Sequence, residues 1–451
     1  MKKIIVLLLA IAACTLSVAQ GDISQKLDSM MTIYANCNKF NGSVLVAKGG
    51  RVLLEKGYGF KNVSGRTLND ANTIFQIGSM TKEFTAAIIL KLAVQKKLSL
   101  DDPLSKYFPS FPKADSITLK NLLTHSSGIF NYTDVFDFWK QSNIPANEQM
   151  VLDTLQQKQL LFSPGTKFSY SNSNYMLLAY IIQKVVKEPY ETVVRNWIFR
   201  PLKMEHSGFD FKHLQSTDKS TGYWNFSAAK YVEGPPNDSS EVIGSGSMYS
   251  TVVDLYKWHQ ALQAGKVLDK ATLVQAYQPF KGPYGYGWEL DSMAGRKTVG
   301  HNGRVYGFES KMIRVPEDDV FIVLLNNHSD GPWLHEIALN TMAFLYGHPF
   351  SMPEAPLQLT EEKLTVFTGK FAGDKDHIFE VRLIGGHLFG SEGDHPDHMM
   401  ELLPLPGNRL KFMAHVGEEG FFNVEMDENG NAATMRTTNP RGMKLIFQKI
   451  K

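Results

Sequence analysis

The sequence has almost no cysteine. Two occur in 451 residues, Cys14 and Cys37, and if an N-terminal segment carrying the first is removed, Cys37 stands alone. That excludes a disulfide framework and any zinc site built on several cysteines. An excess of either charge is also missing: Lys+Arg 47 against Asp+Glu 45 leaves no broad basic field, so nucleic acid is not an expected partner. Beyond the first twenty residues no apolar run approaches the about 20 residues needed to cross a bilayer; Val320 to Leu325 is only strand length. There is no Gly-x-Ser-x-Gly elbow, no phosphate-binding loop, no internal repeat and no low-complexity tract.

What is present is ordinary for a globular protein. At 43% hydrophobic and 20% charged the chain can bury a sizeable core, and its length suggests two or three domains. The start resembles an export signal: Lys2-Lys3, then an apolar stretch from Ile4 to Ala13. Ser17-Val18-Ala19 before Gln20 puts small residues where signal peptidase cuts, giving a signal peptide over 1–19 and a periplasmic or extracellular product. Ile11-Ala12-Ala13-Cys14 competes as a lipobox, which would anchor the chain to a membrane through a lipidated Cys14.

From residue 20 to 355 strand-like and helix-like stretches mix. Gly42 to Leu54 predicts a hairpin turning at Gly49-Gly50. Met80 to Val94 predicts one long helix, apolar on nearly every side and therefore central. A second helix is expected over Asn172 to Val186, and Thr251-Val252-Val253-Asp254 resembles a capping box opening a third. Val320 to Leu325 reads as a buried strand. Pro353 and Pro356 bracket a linker, and residues 356–451 then alternate in short runs such as Phe379-Val381-Leu383 and Phe422-Val424-Met426. Gly385-Gly386, Gly407-Asn408 and Asn429-Gly430 separate those runs. This pattern predicts a small antiparallel barrel or sandwich.

Three motifs could carry chemistry. In Ser79-Met80-Thr81-Lys82 the serine and lysine share a helix face, so the amine can reach the hydroxyl. Burial and the positive helix N-terminus would both favour the uncharged amine that a base requires. Alone the tetrapeptide is weak, because Ser-x-x-Lys recurs at Ser110–Lys113, Ser216–Lys219 and Ser227–Lys230 and a helix-capping serine explains it equally. Only Ser79 opens a long apolar helix. Tyr170-Ser171-Asn172 offers a phenol that can relay a proton and an amide that can orient a partner, yet Tyr-x-Asn also occurs at Tyr34–Asn36 and Tyr223–Asn225. Gly300-His301-Asn302-Gly303-Arg304 flanks a polar pair with glycines, which lets backbone approach a ligand. His-x-Gly recurs at His206–Gly208 and His415–Gly417, so this motif is degenerate too. Asp394-His395-Pro396-Asp397-His398 invites a metal but reads as a polar loop of the C-terminal unit, and His125 reads as structural.

Taken in order, the three motifs and their spacings resemble the serine β-lactamase and penicillin-binding-protein family, in its class C, DD-peptidase and esterase branch. Connecting stretches resemble it as well: Phe75 to Lys82, Asn121 to Gly128, Phe162 to Asn172 and Gly246 to Thr251. The likeness covers about residues 25 to 345. It implies an α+β fold, with an antiparallel sheet flanked by helices, an all-helical lobe and a cleft between them. The segment 356–451 resembles the lipocalin-like β-domains appended to some members.

For chemistry the resemblance implies an acyl-enzyme, with no cofactor and no metal. Ser79 would be nucleophile, with Lys82 and Tyr170 as the other catalytic groups; backbone N–H groups of Ser79 and Arg304 would hold the oxyanion. Asn172, His301, Asn302, Gly303 and Arg304 would contact a small-molecule or peptide substrate, cell-wall derived among the options. His301 stands where many lactamases carry lysine, which weighs against true antibiotic hydrolysis. Arg304 is bulkier than usual there and would either narrow the cleft or bind a substrate carboxylate. The readings to separate are a hydrolase for peptide (D-amino-acid type), amide or ester bonds, a penicillin-binding sensor that acylates without turnover, and a wall-associated protein with a decayed site.

Overall fold

The computed structural model describes residues 23–134, 145–226, 231–235, 238–329, 333–374, 377–392, 399–413, 419–438 and 444–450. The proposed signal peptide with Cys14, the Ser227–Lys230 tetrapeptide, the Asp394–His398 loop and the His415–Gly417 pattern lie outside the described residues. Among the described residues no helix is long and apolar enough to cross a membrane.

The first unit is built on a six-stranded antiparallel sheet. A helix over residues 23–36 (α1) precedes the hairpin of β1 (Gly42–Lys48) and β2 (Arg51–Tyr58). Lys48 pairs with Arg51, so the turn is Gly49-Gly50 alone; both have positive φ, 58° and 72°, as a two-residue turn matching strand twist requires. Four later strands complete the sheet: β3 (Glu289–Met293), β4 (Arg296–Val305), β5 (Phe308–Val315) and β6 (Val320–Asn326), in the order β2-β1-β6-β5-β4-β3. Every residue of β6 is buried because both sheet faces are covered. Its side chains alternate between two cores. Val320, Ile322 and Leu324 pack toward α1 and the helix Trp333–Leu345, while Phe321, Val323 and Leu325 pack toward the helical side.

On that helical side lies α2 (Thr81–Val94), with α3 (Asn172–Val186) beside it and α4 (Val252–Gln263) against the sheet. From Thr81 to Leu90 the helix α2 is buried on all sides, polar residues included: Lys82, Glu83 and Thr85 are inaccessible to solvent. At α4 the expected capping box is only half made. Thr251 accepts the Asp254 N–H at 3.1 Å, but the Asp254 carboxylate turns away to accept from His206 N at 2.8 Å and Ser207 Oγ at 2.9 Å. A tertiary contact with a neighbouring loop has taken the reciprocal bond.

Glu83 is a buried carboxyl inside this core. Burial pushes its pKa up to about 7 from an ordinary 4.5, while a hydrogen bond from Trp258 Nε1 at 3.0 Å and the Arg314 guanidinium work the other way. A carboxyl raised on folding contributes stability that is complete below 4.5 and is lost as pH rises to about 7. Glu83→Gln, which keeps the neutral shape, is expected to remove this dependence. Between pH 4.5 and 8 its stability in urea should gain on the wild type by on the order of 3 kcal/mol. A constant difference across that range would show that Glu83 folds ionised.

The second unit is a closed antiparallel barrel of eight strands, from Gly369–Ala372 to Lys444–Ile450, with the first strand paired to the last. Closure removes the exposed edges that a sandwich would leave. Its core holds Phe371, Phe379, Val381, Leu402, Phe422 and Phe447, with Leu364 of a short helix (Glu361–Thr365) packed into it. Leu357 N donates to Pro404 O at 2.8 Å and Arg409 pairs with Glu354, so the segment after the last helix of the first unit is laid along the barrel.

Candidate active site

Ser79 sits in a single 3-10 turn, Gly78–Met80, that feeds into α2. The chain reverses there because Gly78 adopts φ 51°; a Cβ on it would lie 2.7 Å from Arg304 N. The turn is pinned from both sides. Ile77 donates to Met248 O at 3.0 Å, its own carbonyl accepts from Ser310 Oγ at 2.8 Å, and Thr81 Oγ1 donates to Gly78 O at 2.7 Å. The serine hydroxyl is therefore held on rigid elements at the mouth of the buried helix, partly open to a cleft of about 360 Å³.

One helical turn on, Lys82 is fully buried. Its Nζ lies 2.9 Å from Ser79 Oγ, 2.7 Å from Asn172 Oδ1 and 2.7 Å from the Ser245 carbonyl. Burial drives its pKa well below 10.5, with the Glu289 charge acting the other way, so the amine form is favoured. A neutral amine has two N–H donors and one lone pair. Asn172 Oδ1 and the Ser245 carbonyl can only accept. They take the two N–H bonds, and the lone pair is left facing the one partner that owns a proton, the Ser79 hydroxyl. The Asn172 amide is itself oriented, since Nδ2 donates to Thr133 Oγ1 at 3.0 Å.

Tyr170 stands over this pair, its ring centroid 4.9 Å from Lys82 Nζ. Burial raises its phenol above the ordinary value and the adjacent Ser79 hydroxyl works against that rise; the phenol stays protonated at neutral pH and can act as a donor, not as a phenolate base. His125 positions it. The His125 carbonyl accepts from Ser169 N at 2.9 Å, Nδ1 faces Ser171 N at 3.2 Å, and the ring lies 4.2 Å from that of Tyr170. Nδ1 also meets Asn174 Nδ2 at 3.2 Å; both neighbours are donors, so the proton resides on Nε2.

The wall opposite is β4, which carries all five residues of the third motif. His301 does not turn a free ring nitrogen to the cleft: Nε2 lies 2.9 Å from Tyr284 OH and Nδ1 lies 2.5 Å from Asn302 O. The carbonyl must accept, so Nδ1 carries the proton and Tyr284 donates to Nε2; burial lowers the ring's pKa and keeps it neutral. Asn302 Oδ1 accepts from Lys311 Nζ at 2.8 Å. Gly303 is pressed against the serine turn, where a Cβ would fall 2.0 Å from Ile77 O. Arg304 lies at the rim, exposed, its guanidinium donating to Ser329 O at 2.6 Å and 3.4 Å from Glu309 Oε1.

All eight residues singled out from the sequence border this one locality. Two of the repeated patterns within the described residues lie elsewhere: Tyr34 OH donates to Glu336, and Lys219 donates to the Lys212 carbonyl. Sequence reasoning missed Ser245, whose contribution is a backbone carbonyl and so leaves no side-chain signal. It also missed Glu289, Lys311 and His335, which line the cleft. Glu289 could have been suspected from Gly285-Tyr286-Gly287-Trp288 before it. There Gly287 has φ 95° and packs on α2, where a Cβ would lie 2.4 Å from Ala86 Cβ.

A sheet covered by helices, a helical lobe and a cleft between them form the β-lactamase/transpeptidase-like fold. The chain belongs to the beta-lactamase family, whose model matches residues 33–343. It is 33% identical over 250 residues to the putative penicillin-binding protein PbpX of Bacillus subtilis (strain 168), a match covering 55% of this chain and 62% of that one. With penicillin-binding protein 4* of the same organism it shares 27% identity over 370 residues, 77% of this chain and 82% of the relative. The octameric penicillin-binding protein homologue from Pyrococcus abyssi superposes with a TM-score of 0.67 at 27% identity. That superposition covers 94% of this chain and 99% of the homologue, barrel region included. The chain thus spans less than two thirds of the length of PbpX.

Proposed function

We propose that this protein is a serine hydrolase that works through an acyl-enzyme on Ser79 and cleaves a peptide (D-amino-acid type), amide or ester bond. The observation that carries this reading is the Lys82 amine, whose lone pair has only the Ser79 hydroxyl to accept from. Ser79 Oγ attacks the carbonyl and its proton passes to Lys82 Nζ. The ammonium so formed finds three oxygen partners already in place, a preorganised stabilisation of developing charge. Backbone N–H groups of Ser79 and Arg304 hold the oxyanion; as the bond from the carbonyl carbon to the leaving group breaks, the Tyr170 phenol relays the proton from the Lys82 ammonium to that group and the neutral amine is restored. Water then attacks the ester with Lys82 again as base and releases the acid.

Family membership and the likeness to penicillin-binding proteins support a cell-wall-derived substrate, and the Lys2 to Ala19 pattern supports export. The test is a fluorophosphonate probe followed by a panel of D-alanyl peptides, amides and esters read by mass spectrometry. Labelling with turnover on the panel is expected. Labelling without turnover would make the protein an acylated sensor, and a folded protein that takes no label is not a serine hydrolase.

The pH dependence follows from the same lysine. The base works only when neutral, so kcat/KM should rise with pH through the lowered pKa of Lys82 and level off far below the 10.5 of a free lysine. A rising limb centred near 10.5 would mean that Lys82 is charged at rest and that another group takes the serine proton.

A further inference from the structure

The inference rests on the acyl-enzyme reading above and concerns which substrates the same cleft accepts. Charged side chains of both signs line it: Arg304, Lys311 and His335 against Glu289 and Glu309. The cations are engaged or uncharged. Arg304 is held by Ser329 and Glu309, and Lys311, buried, donates to Asn302 Oδ1 at 2.8 Å. The imidazole of His335 is kept below its ordinary pKa first by burial and then by Lys311, so it is neutral at neutral pH.

Glu289 differs from these. Its carboxylate, 35% exposed, has one ionisable nitrogen within 4 Å among the described residues, His301 Nδ1 at 3.5 Å, while Lys311 and Lys82 feel its charge from farther off. That imidazole is neutral, and its one N–H already points at the Asn302 carbonyl at 2.5 Å. A partly desolvated carboxylate with no cation in direct contact gains from a ligand that brings one. The cleft thus presents a partly exposed carboxylate that no cation touches directly, open to a positively charged donor. Glu289 and Ser79 border the same cavity of about 360 Å³, so a group touching Glu289 lies within a few bonds of a carbonyl at Ser79.

We propose that Glu289 is the specificity-determining residue of this site and that it recognises a primary ammonium group on the substrate. Acyl donors with an unblocked amine near the scissile carbonyl are preferred over their N-acylated counterparts. The amine can be the α-amino group of the reacting residue or the terminal amine of its side chain. Both present the same charged donor, and they are separated by experiment.

The test uses the full chain and matched alanyl and lysyl esters of both configurations, with the α-amine free or acetylated. For the wild type, kcat/KM is expected to be about 10- to 100-fold higher for whichever member keeps the ammonium that reaches Glu289. The alanyl pair reports the α-amino source and the Nα-acetyl-lysyl ester reports the side-chain source. In Glu289→Gln the preference should collapse to about onefold. An unchanged preference in the variant, or an equal fall on every substrate, would overturn the proposal and make Glu289 a support for His301. Should the variant not fold, the wild type still decides: no discrimination between free and acetylated esters also overturns it. A wild type that fluorophosphonate fails to label would instead overturn the acyl-enzyme reading on which the proposal rests.

Discussion

Ser79→Ala is expected to abolish both covalent labelling and turnover, and Lys82→Ala to lower kcat/KM by on the order of 10⁴-fold. The two losses differ in kind. Without the hydroxyl oxygen there is nothing to acylate. Without the amine the oxygen remains, but its proton has no acceptor: the Asn172 amide and the Ser245 carbonyl that surround the vacated position offer no basic nitrogen to Ser79. The truncation also removes a buried polar group whose partners are then left unsatisfied, so a moderate fall in stability should accompany it. Lys82→Ala labelled by fluorophosphonate at close to the wild-type rate would show that another group activates Ser79. Tyr170 would be the first to examine, since its ring lies 4.9 Å from the lysine nitrogen. Any turnover left in Ser79→Ala would move the chemistry away from this cleft altogether.

Gly303→Ala should rank next in effect, although it removes no functional group. A methyl there would fall 2.0 Å from Ile77 O and 2.4 Å from Ser310 Oγ, the two atoms whose hydrogen bond ties the sheet to the serine turn. Neither can yield easily: one is backbone just before Ser79, the other is the tether itself. The strand must therefore draw back from the turn, carrying Arg304 N away from Gly78 and the serine turn that it abuts. Misplacement of reacting groups on the scale of an ångström lowers rates by about 10²-fold, and overpacking costs about 1–3 kcal/mol of stability. The expected result is a fall in kcat of about 10²-fold with native circular dichroism and a Tm lower by a few degrees. Wild-type turnover in this variant would show that contact between the strand and the serine turn is not needed for the reaction.

Much of the fold was legible because the signals are local. The hairpin at Gly49-Gly50, the helix from Asn172 to Val186 and the central helix ending at Val94 follow from turn chemistry and from periodicity that the chain carries over a few turns. The C-terminal alternation reported strands, and the resemblance supplied the barrel; closure depends on Lys370 pairing with Ile450, eighty residues away, which no local pattern records. At Thr251 the local pattern was half overridden, because the Asp254 carboxylate found better partners in His206 and Ser207.

The site divides along the same line. Sequence by itself determined that a serine and a lysine share one helical face at the start of a buried helix, because the spacing of three residues sets that geometry wherever the helix forms. It also determined that a phenol, an amide and a glycine-flanked strand were available. Which of several identical patterns mattered, and what each atom faces, was decided by tertiary structure alone. The lone pair of Lys82 is aimed by a backbone carbonyl at Ser245, the His301 nitrogens are taken by Tyr284 and a main-chain oxygen, and Glu289 meets the cleft with no cation in direct contact. These are hydrogen-bond choices between groups up to 163 residues apart, and their energies exist only once packing has excluded water from around them.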